Sequence, residues 1–140
     1  METAVRGMLN IHPVGPIAPA DADALGRCIE HCMACAQACA ACADACLAET
    51  ELRDLACCVA RDLDCADLCT ATAAVVTRRT ARNGDVTRSV LLACRTACAA
   101  CAAECERHGD RHEHCRICAE ACRACEQACA DLLELPDPVG

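Results

Sequence analysis

The amino-acid sequence predicts an all-α protein: an antiparallel, up-down-up-down four-helix bundle with an irregular N-terminal arm. Two observations lead to this fold class. Cysteines recur at spacings of three and four residues in four separate segments of the 140-residue chain, and this is the periodicity of one face of an α-helix. The segments are about 20–30 residues long and have short connections, as in up-down bundles. We therefore divide the chain into an N-terminal arm, residues 1–20, and a Cys-lined four-helix bundle, residues 21–135.

The first predicted helix contains the clearest repeat. From Cys28 to Cys46 the sequence reads CIEHCMACAQACAACADAC, and its cysteines are separated by gaps of 4, 3, 4, 3 and 4 residues. A mean spacing of about 3.5 residues keeps all of them on one stripe of the helix. We expect Asp21 or Asp23 to cap this helix, and the helix to continue to about residue 48. The three prolines within the arm leave room there for at most a short helix.

The second helix is expected over about residues 51–80, with Thr50 as its N-cap. Its stripe keeps the spacing of three and four residues only if Asp62, which lies between Cys58 and Cys65, is counted as a member. An ionisable side chain therefore interrupts a helix face that is otherwise made of thiols.

Turn-forming residues separate the remaining helices. Gly84 suits a positive φ after the second helix, and Asp85 is expected to cap the third. Asp110 and Glu113 resemble a capping box at the start of the fourth helix. We expect that helix to end at Pro136, because proline cannot continue a helix.

The composition predicts a weakly hydrophobic core. Alanine and cysteine supply most of the hydrophobic content of 55%, and the chain contains no Phe, Tyr or Trp. Such a core buries little apolar area per residue, so hydrophobic burial alone would stabilise it weakly. We therefore expect bound metal, association into an oligomer, or both, to contribute to stability.

The charge and the N-terminus narrow the possible environments. A formal net charge of −8 argues against nucleic acid, which requires a basic surface. No apolar run approaches the roughly 18 residues of a membrane span, and the first twenty residues lack the basic and apolar regions of a signal peptide. We therefore expect a cytoplasmic protein that binds neither nucleic acid nor membrane. Its nineteen cysteines should then be reduced.

Four cysteine stripes turned towards one axis would line the bundle with thiols. A purely structural use of cysteine as a small hydrophobe is possible, but Leu or Val would fill the same space without a risk of oxidation. Thiolates select Cu(I), Zn(II) or iron–sulfur clusters. One Cu(I) per thiolate neutralises the lining, whereas Zn(II) with about four terminal thiolates leaves negative charge in the core. Iron–sulfur ligands come from loops with a different spacing, so Cu(I) is favoured.

With four cysteine-striped helices, histidines at one end and no signal peptide, the chain resembles the cytosolic branch of the bacterial copper storage proteins over about residues 21–133. The resemblance implies a bundle core that fills with multiple Cu(I) ions per chain in Cu(I)–thiolate clusters. It also implies a homo-oligomer, a tetramer. The Cu(I) ligands that it implies are Cys28, Cys32, Cys35, Cys39, Cys42, Cys46, Cys57, Cys58, Cys65, Cys69, Cys94, Cys98, Cys101, Cys105, Cys115, Cys118, Cys122, Cys125 and Cys129.

One end of an antiparallel bundle, which we name the histidine end, would gather His108, His112 and His114, with Asp62 about one turn deeper. The simplest explanation of His108 is that it complements the C-terminal dipole of the third helix. Because neutral imidazole binds copper, we include the three histidines among the metal-site residues. Asp62 is included as a residue that assists ion access or pairs with a nearby arginine.

The opposite end, which we name the leucine end, would gather Leu25, Val76, Leu91 and Leu132. These side chains offer Cu(I) no ligand and should close the end by packing. Copper should therefore enter at the histidine end. Acidic residues on the outer faces, Glu104 among them, are most simply solvated surface.

The favoured function is cytosolic Cu(I) storage and detoxification. The alternatives are a zinc-buffering, metallothionein-like protein and, ranked below it, an iron–sulfur electron-transfer protein. The sequence contains no Ser/His/Asp arrangement, lone activated cysteine or Gly-rich phosphate loop, so we expect the protein not to be an enzyme.

Overall fold

The computed structural model describes residues 2–136, and within them the chain forms five α-helices and no strand. The helices are α1 (Ala4–Asn10), α2 (Pro19–Leu47), α3 (Leu52–Thr77), α4 (Gly84–Glu106) and α5 (Glu113–Leu133). The prediction of an all-α chain is confirmed.

Each of the four long helices packs against two of the others. α2 contacts α3 and α5, and α4 contacts the same two helices. The cysteine stripes are buried between them, and thiols of α2 lie within 4 Å of thiols on α3, α4 and α5. The core of the protein is therefore made chiefly of sulfur, as the spacing of the cysteines predicts.

The N-terminal arm contains the short helix α1, which lies against α2. The guanidinium of Arg6 donates hydrogen bonds to Asp23 and Glu30, each at 2.9 Å. Gly26 allows this approach, because a Cβ atom built on it would lie 2.5 Å from the Arg6 side chain. Leu9 of α1 is buried in the core cluster. Val5 and Ile17 also pack against this cluster, so the arm is held by ion pairs and by apolar contacts.

The start of α2 differs from the prediction. Ala18 is the N-cap, Pro19 is the first helical residue, and no side chain caps the helix. The expectation that Asp21 or Asp23 caps it is wrong, since both lie inside the helix. Proline explains the earlier start: its φ is already helical, and it lacks the N–H that would be left unpaired at the first helical position.

Two other predicted caps are also wrong. Glu51, rather than Thr50, is the N-cap of α3, and the Thr50 hydroxyl donates to the Glu51 carboxylate at 3.0 Å. At α4, Asn83 Oδ1 accepts hydrogen bonds from the backbone N–H groups of Asp85 (3.0 Å) and Val86 (3.2 Å). Asn83 is therefore the cap, and Asp85 lies within the first turn.

The turns between the helices also differ from the prediction. Gly84 is the first residue of α4, and the positive φ before it belongs to Ala81, at 53°. The N-cap of α5 is His112, which makes no side-chain cap bond, so the predicted capping box of Asp110 and Glu113 does not form. Two helices are shorter than expected: α3 ends at Thr77 and α5 ends at Leu133.

Judged by length and composition alone, α4 contradicts the expectation that no segment approaches a membrane span. This helix has 23 residues and a window of mean hydropathy 1.3, enough in length and composition to cross a membrane. Alanine and cysteine supply that hydropathy. Core helices of soluble proteins pass the same test, and the cysteines of α4 are buried against the other long helices. Only 33% of that window is buried within the protein, so packing accounts for part of the hydropathy of α4.

Candidate metal centre

Eighteen of the nineteen cysteines are buried, and their sulfur atoms form one connected set of neighbours, which we name the thiol column. The exception is Cys57, which the resemblance counts among the Cu(I) ligands but which is exposed. Successive residues point about 100° apart around a helix, and Cys58 already faces inwards. The column consists of Cys28, Cys32, Cys35, Cys39, Cys42, Cys46, Cys58, Cys65, Cys69, Cys94, Cys98, Cys101, Cys105, Cys115, Cys118, Cys122, Cys125 and Cys129.

The sulfur atoms of the column are close enough to share ions. Contacts between helices range from 3.5 Å, for Cys58 and Cys105, to 4.0 Å, for Cys28 and Cys129. A metal–thiolate bond of about 2.3 Å places two sulfurs on one ion no more than about 4.6 Å apart. The column therefore needs little rearrangement to hold metal between its helices.

Groups of four sulfurs overlap within the column. In each group, the Sγ atoms lie within 4.8 Å of one another. One group contains Cys35, Cys39, Cys65 and Cys122; a second again contains Cys35 and Cys65, and a third again contains Cys39 and Cys122. Independent four-sulfur sites would compete for these shared thiols, whereas bridging thiolates use them all.

Burial favours the protonated form of a thiol, whereas hydrogen bonds from neighbouring thiols favour the thiolate and lower the pKa of Cys28 to about 5. Desolvation raises the pKa of Cys46 to about 11, and it raises the pKa of Cys115 above the ordinary value as well. A neutral thiol is tolerable in an apolar core, whereas an isolated thiolate is not. Metal binding must therefore displace protons from the column.

Asp62 lies inside the thiol column. Its side chain is fully buried, and its Oδ1 lies 3.1 Å from the sulfur of Cys101, 3.3 Å from that of Cys118 and 3.5 Å from that of Cys105. Desolvation is the main cause that raises the pKa of Asp62 to about 8. The expected pairing with a nearby arginine is not observed among the described residues, since Arg61 pairs with Asp64 instead. At neutral pH Asp62 is therefore mostly an uncharged acceptor of S–H hydrogen bonds.

Two histidines meet at one carboxylate. Oε2 of Glu49 contacts Nδ1 of His112 and lies 3.4 Å from Nε2 of His114. The other ring nitrogen of His114, Nδ1, lies 3.5 Å from Cys42 Sγ and 3.6 Å from Cys115 Sγ. The sequence places His114 beside the cysteine stripe rather than on it, yet its imidazole reaches the thiol column directly.

His108 has a carboxylate partner of its own. Its Nε2 lies 2.8 Å from Oε2 of Glu104, one turn earlier on α4. Its Nδ1 is buried and has no hydrogen-bond partner in the described part of the chain. Glu104 is itself buried, so the expectation that it is solvated surface is wrong. The pair leaves one imidazole nitrogen free inside the protein.

Sequence reasoning missed Glu49 and treated Glu104 as surface. The separation of four residues between Glu104 and His108 was a usable signal, because side chains at i and i+4 meet on a helix. No comparable signal marks Glu49, which follows α2 and meets α5 only after the chain has folded.

The leucine end is closed, as predicted. Leu25, Val76, Leu91 and Leu132 are all buried with at most 1% of their surface exposed. The hydroxyl of Thr72 adds a hydrogen bond to the carbonyl of Leu68 at 2.7 Å, so this polar group is satisfied. No thiol, imidazole or carboxylate is offered by these apolar side chains.

Known proteins share this arrangement. The family model for copper storage proteins (Csp) matches residues 21–134. The chain belongs to the copper storage protein family. The resemblance noticed in the sequence is thereby confirmed. A curated relative, the uncharacterized cysteine-rich protein YhjQ of Bacillus subtilis (strain 168), is 33% identical over 94 residues, 67% of this chain and 82% of that protein.

Solved structures of the copper storage protein Ccsp from Streptomyces lividans are also similar. One, loaded with 10 copper equivalents, is 57% identical, with a TM-score of 0.89 over 93% of this chain and 98% of the other. A second, described as a cytosolic copper storage protein with five coppers, is 61% identical, with a TM-score of 0.81 over 83% and 97% of the two chains. The fold of this family member is thus that of Ccsp.

Proposed function

We propose that this member of the copper storage protein family is a cytosolic reservoir of Cu(I) that also limits copper toxicity. The observation that carries the proposal is the thiol column: buried sulfurs from four helices, 3.5–4.0 Å apart across helix boundaries. A structural core would gain more from larger apolar side chains. Storage is also the duty stated for Ccsp of S. lividans.

We propose the finer fold as an antiparallel, up-down-up-down four-helix bundle over residues 21–135, with residues 1–20 as the arm. Sulfur contacts support this direction of the helices. Cys28 near the start of α2 meets Cys129 near the end of α5, whereas Cys42 near the end of α2 meets Cys115 near the start of α5. Contacts between the start of one helix and the end of the other are typical of antiparallel neighbours.

The proposed cargo is Cu(I), with multiple ions per chain. The overlapping groups of sulfur favour bridging thiolates, and one Cu(I) per thiolate leaves no net charge in the buried column. Zn(II) in closed four-thiolate sites would carry net negative charge and would compete for shared sulfurs. An iron–sulfur protein is disfavoured because cluster ligands are drawn mainly from loops, whereas these thiols lie on helices.

Copper uptake is proposed at the histidine end. His108, His112 and His114 offer imidazole nitrogens there, and the last lies within 3.6 Å of two thiols. Asp62 lies deeper, and at neutral pH it is mostly uncharged because its pKa is raised to about 8. We therefore assign the first capture of the ion to the imidazoles, and we assign to Asp62 the acceptance of hydrogen bonds from thiols that have not yet bound copper.

The proposed assembly is a homo-oligomer, a tetramer. Leu47 and Leu63 are exposed apolar side chains, and an open groove of about 660 Å³ between α3 and α4 includes Leu68 and Leu92 in its lining. Association would cover such surfaces. The cytosolic location rests on the description of Ccsp from S. lividans. We propose no enzymatic activity, in keeping with a storage family.

A metal competition experiment tests the cargo. The reduced protein is incubated without oxygen in equal amounts of Cu(I) and Zn(II), each in excess over the thiols, then desalted and measured for both metals. We expect copper to exceed zinc several-fold in the recovered protein, because thiolate softness and charge both favour Cu(I). Recovery of mainly zinc, at about one ion per four thiols, would instead establish the zinc-buffering alternative.

A further inference from the structure

Glu49 holds two imidazoles with a single oxygen atom. Its Oε2 contacts Nδ1 of His112 and lies 3.4 Å from Nε2 of His114, and the two rings have their centroids 5.5 Å apart. A carboxylate oxygen accepts hydrogen bonds and cannot donate them. The nitrogen of each ring that faces Glu49 must therefore carry a hydrogen. In a neutral imidazole, the other nitrogen then keeps its lone pair.

The two rings are consequently held as opposite tautomers. His112 carries its hydrogen on Nδ1 and has a free Nε2, whereas His114 carries its hydrogen on Nε2 and has a free Nδ1. The free nitrogen of His114 faces inwards, 3.5 Å from Cys42 Sγ and 3.6 Å from Cys115 Sγ. The free nitrogen of His112 lies on the side of Glu51, 3.9 Å from that carboxylate. His112 is buried, with 7% of its side chain exposed, whereas 27% of the His114 side chain is exposed.

We propose that Glu49 is a positioning residue for copper uptake, and this inference rests on the proposed Cu(I) function. By fixing opposite tautomers it leaves two ligand nitrogens free, His112 Nε2 beside Glu51 and His114 Nδ1 beside the thiols. These nitrogens capture the ion, and His114 Nδ1 passes it to Cys42 and Cys115 by ligand exchange. No electron is transferred. Each thiol that binds the ion releases one proton to water at the histidine end.

A carboxylate that orients a ligand histidine typically changes metal affinity or activity by about 10–100-fold. Glu49 could act differently, through negative charge that draws cations to the histidine end. Glu106→Gln is a matched control for that effect. Glu106 is the last residue of α4 and pairs with Arg123, so its substitution removes a charge at the same end without touching either imidazole of the pair.

Glu49→Gln keeps the size of the side chain but changes its hydrogen bonding. The amide both accepts and donates, so it no longer obliges either ring to present a hydrogen. We expect uptake of Cu(I), followed by stopped-flow absorbance, to slow by about 10-fold while the capacity is unchanged. Glu106→Gln should change the rate by less than about 2-fold, as surface charges are screened.

The tautomers are measured separately, by ¹H–¹⁵N correlation spectra of the imidazole rings in the reduced protein without copper. At pH 8, above the ordinary histidine pKa of about 6.5, we expect His112 to carry its hydrogen on Nδ1 and His114 on Nε2. Glu49→Gln should convert His112 towards the other tautomer. This measurement on the unaltered protein needs no variant, so it decides the inference even if Glu49→Gln does not fold.

The outcomes separate this inference from the function on which it rests. A hydrogen on Nε2 of His112 in the unaltered protein would overturn the positioning role of Glu49, whatever the copper capacity. Equal slowing by Glu49→Gln and Glu106→Gln, with unchanged tautomers, would overturn it in favour of a charge effect. Failure of the unaltered protein to bind Cu(I) at all, with the predicted tautomers present, would overturn the proposed function instead.

Discussion

Substitution of the buried Asp62 by asparagine should stabilise the copper-free protein at pH 8 and have less effect at pH 5. The folded state keeps a proton on Asp62 up to about pH 8, whereas an ordinary aspartate loses it near 3.8. Between these values the unfolded chain binds fewer protons than the folded one, so the free energy of unfolding falls as pH rises. The stability that comes from the proton on Asp62 is complete below pH 3.8 and is lost by about pH 8. Asparagine does not titrate and removes this dependence.

The magnitude follows from the shift in pKa. One pH unit corresponds to about 1.36 kcal/mol. Over the three units between pH 5 and pH 8, the free energy of unfolding can therefore fall by at most about 4 kcal/mol. The sulfur of Cys101 lies 3.1 Å from Oδ1, and its S–H group stabilises the carboxylate, whereas desolvation opposes the charge. We therefore expect the protein to lose between about 2 and 4 kcal/mol over this interval relative to Asp62→Asn.

Urea unfolding of the reduced protein, without oxygen and followed by far-ultraviolet circular dichroism, measures this difference. Asp64→Asn is the matched control, because Asp64 lies on the same helix with 70% of its side chain exposed. Its dependence on pH should follow that of the unaltered protein within about 0.5 kcal/mol. If Asp62→Asn loses as much stability between pH 5 and pH 8 as the unaltered protein does, the buried carboxyl is not protonated in the fold and the reasoning is refuted.

Three further predictions concern separate parts of the molecule. Leu91→Ala, at the closed leucine end, should cost about 2–5 kcal/mol of stability by urea unfolding; faster copper loading in this variant would show that the leucine end admits ions. Cys57→Ser should leave the Cu(I) capacity unchanged, since Cys57 is exposed, whereas Cys39→Ser should lower it; equal losses by native mass spectrometry would contradict this placement. His108→Ala combined with His112→Ala should slow uptake and chelator-driven removal without changing saturation, and stopped-flow rates equal to those of the unaltered protein would count against uptake at the histidine end.

The all-α fold and the sulfur-lined core follow from the cysteine periodicity, because a spacing of three and four residues has a single geometric meaning on a helix. The starts of the helices were predicted less well. Several residues near each start could act as caps, and the choice depends on geometry within one turn: Pro19 began α2 without a cap, and Asn83 displaced Asp85. Local sequence ranks such alternatives only weakly.

Some features of the metal centre could likewise be predicted from the sequence, and others could not. Burial of Cys58 rather than Cys57 follows from helical geometry and could be derived from the sequence. The resemblance nevertheless counts both residues among the Cu(I) ligands. The sequence contains no comparable indication of contacts between residues that lie on different helices. The reach of His114 to the thiols and the position of Glu49 between two imidazoles depend on how α2 and α5 meet.

The central claim is that the thiol column binds Cu(I) through bridging sulfurs, and the number of ions per chain tests it most directly. Reduced protein is titrated with Cu(I) without oxygen, in competition with a chromophoric Cu(I) chelator, until the chelator begins to accumulate metal. The account predicts saturation at close to one ion for each of the eighteen buried thiols. Saturation near four or five ions would mean separate sites of about four terminal thiolates each, and it would contradict the account.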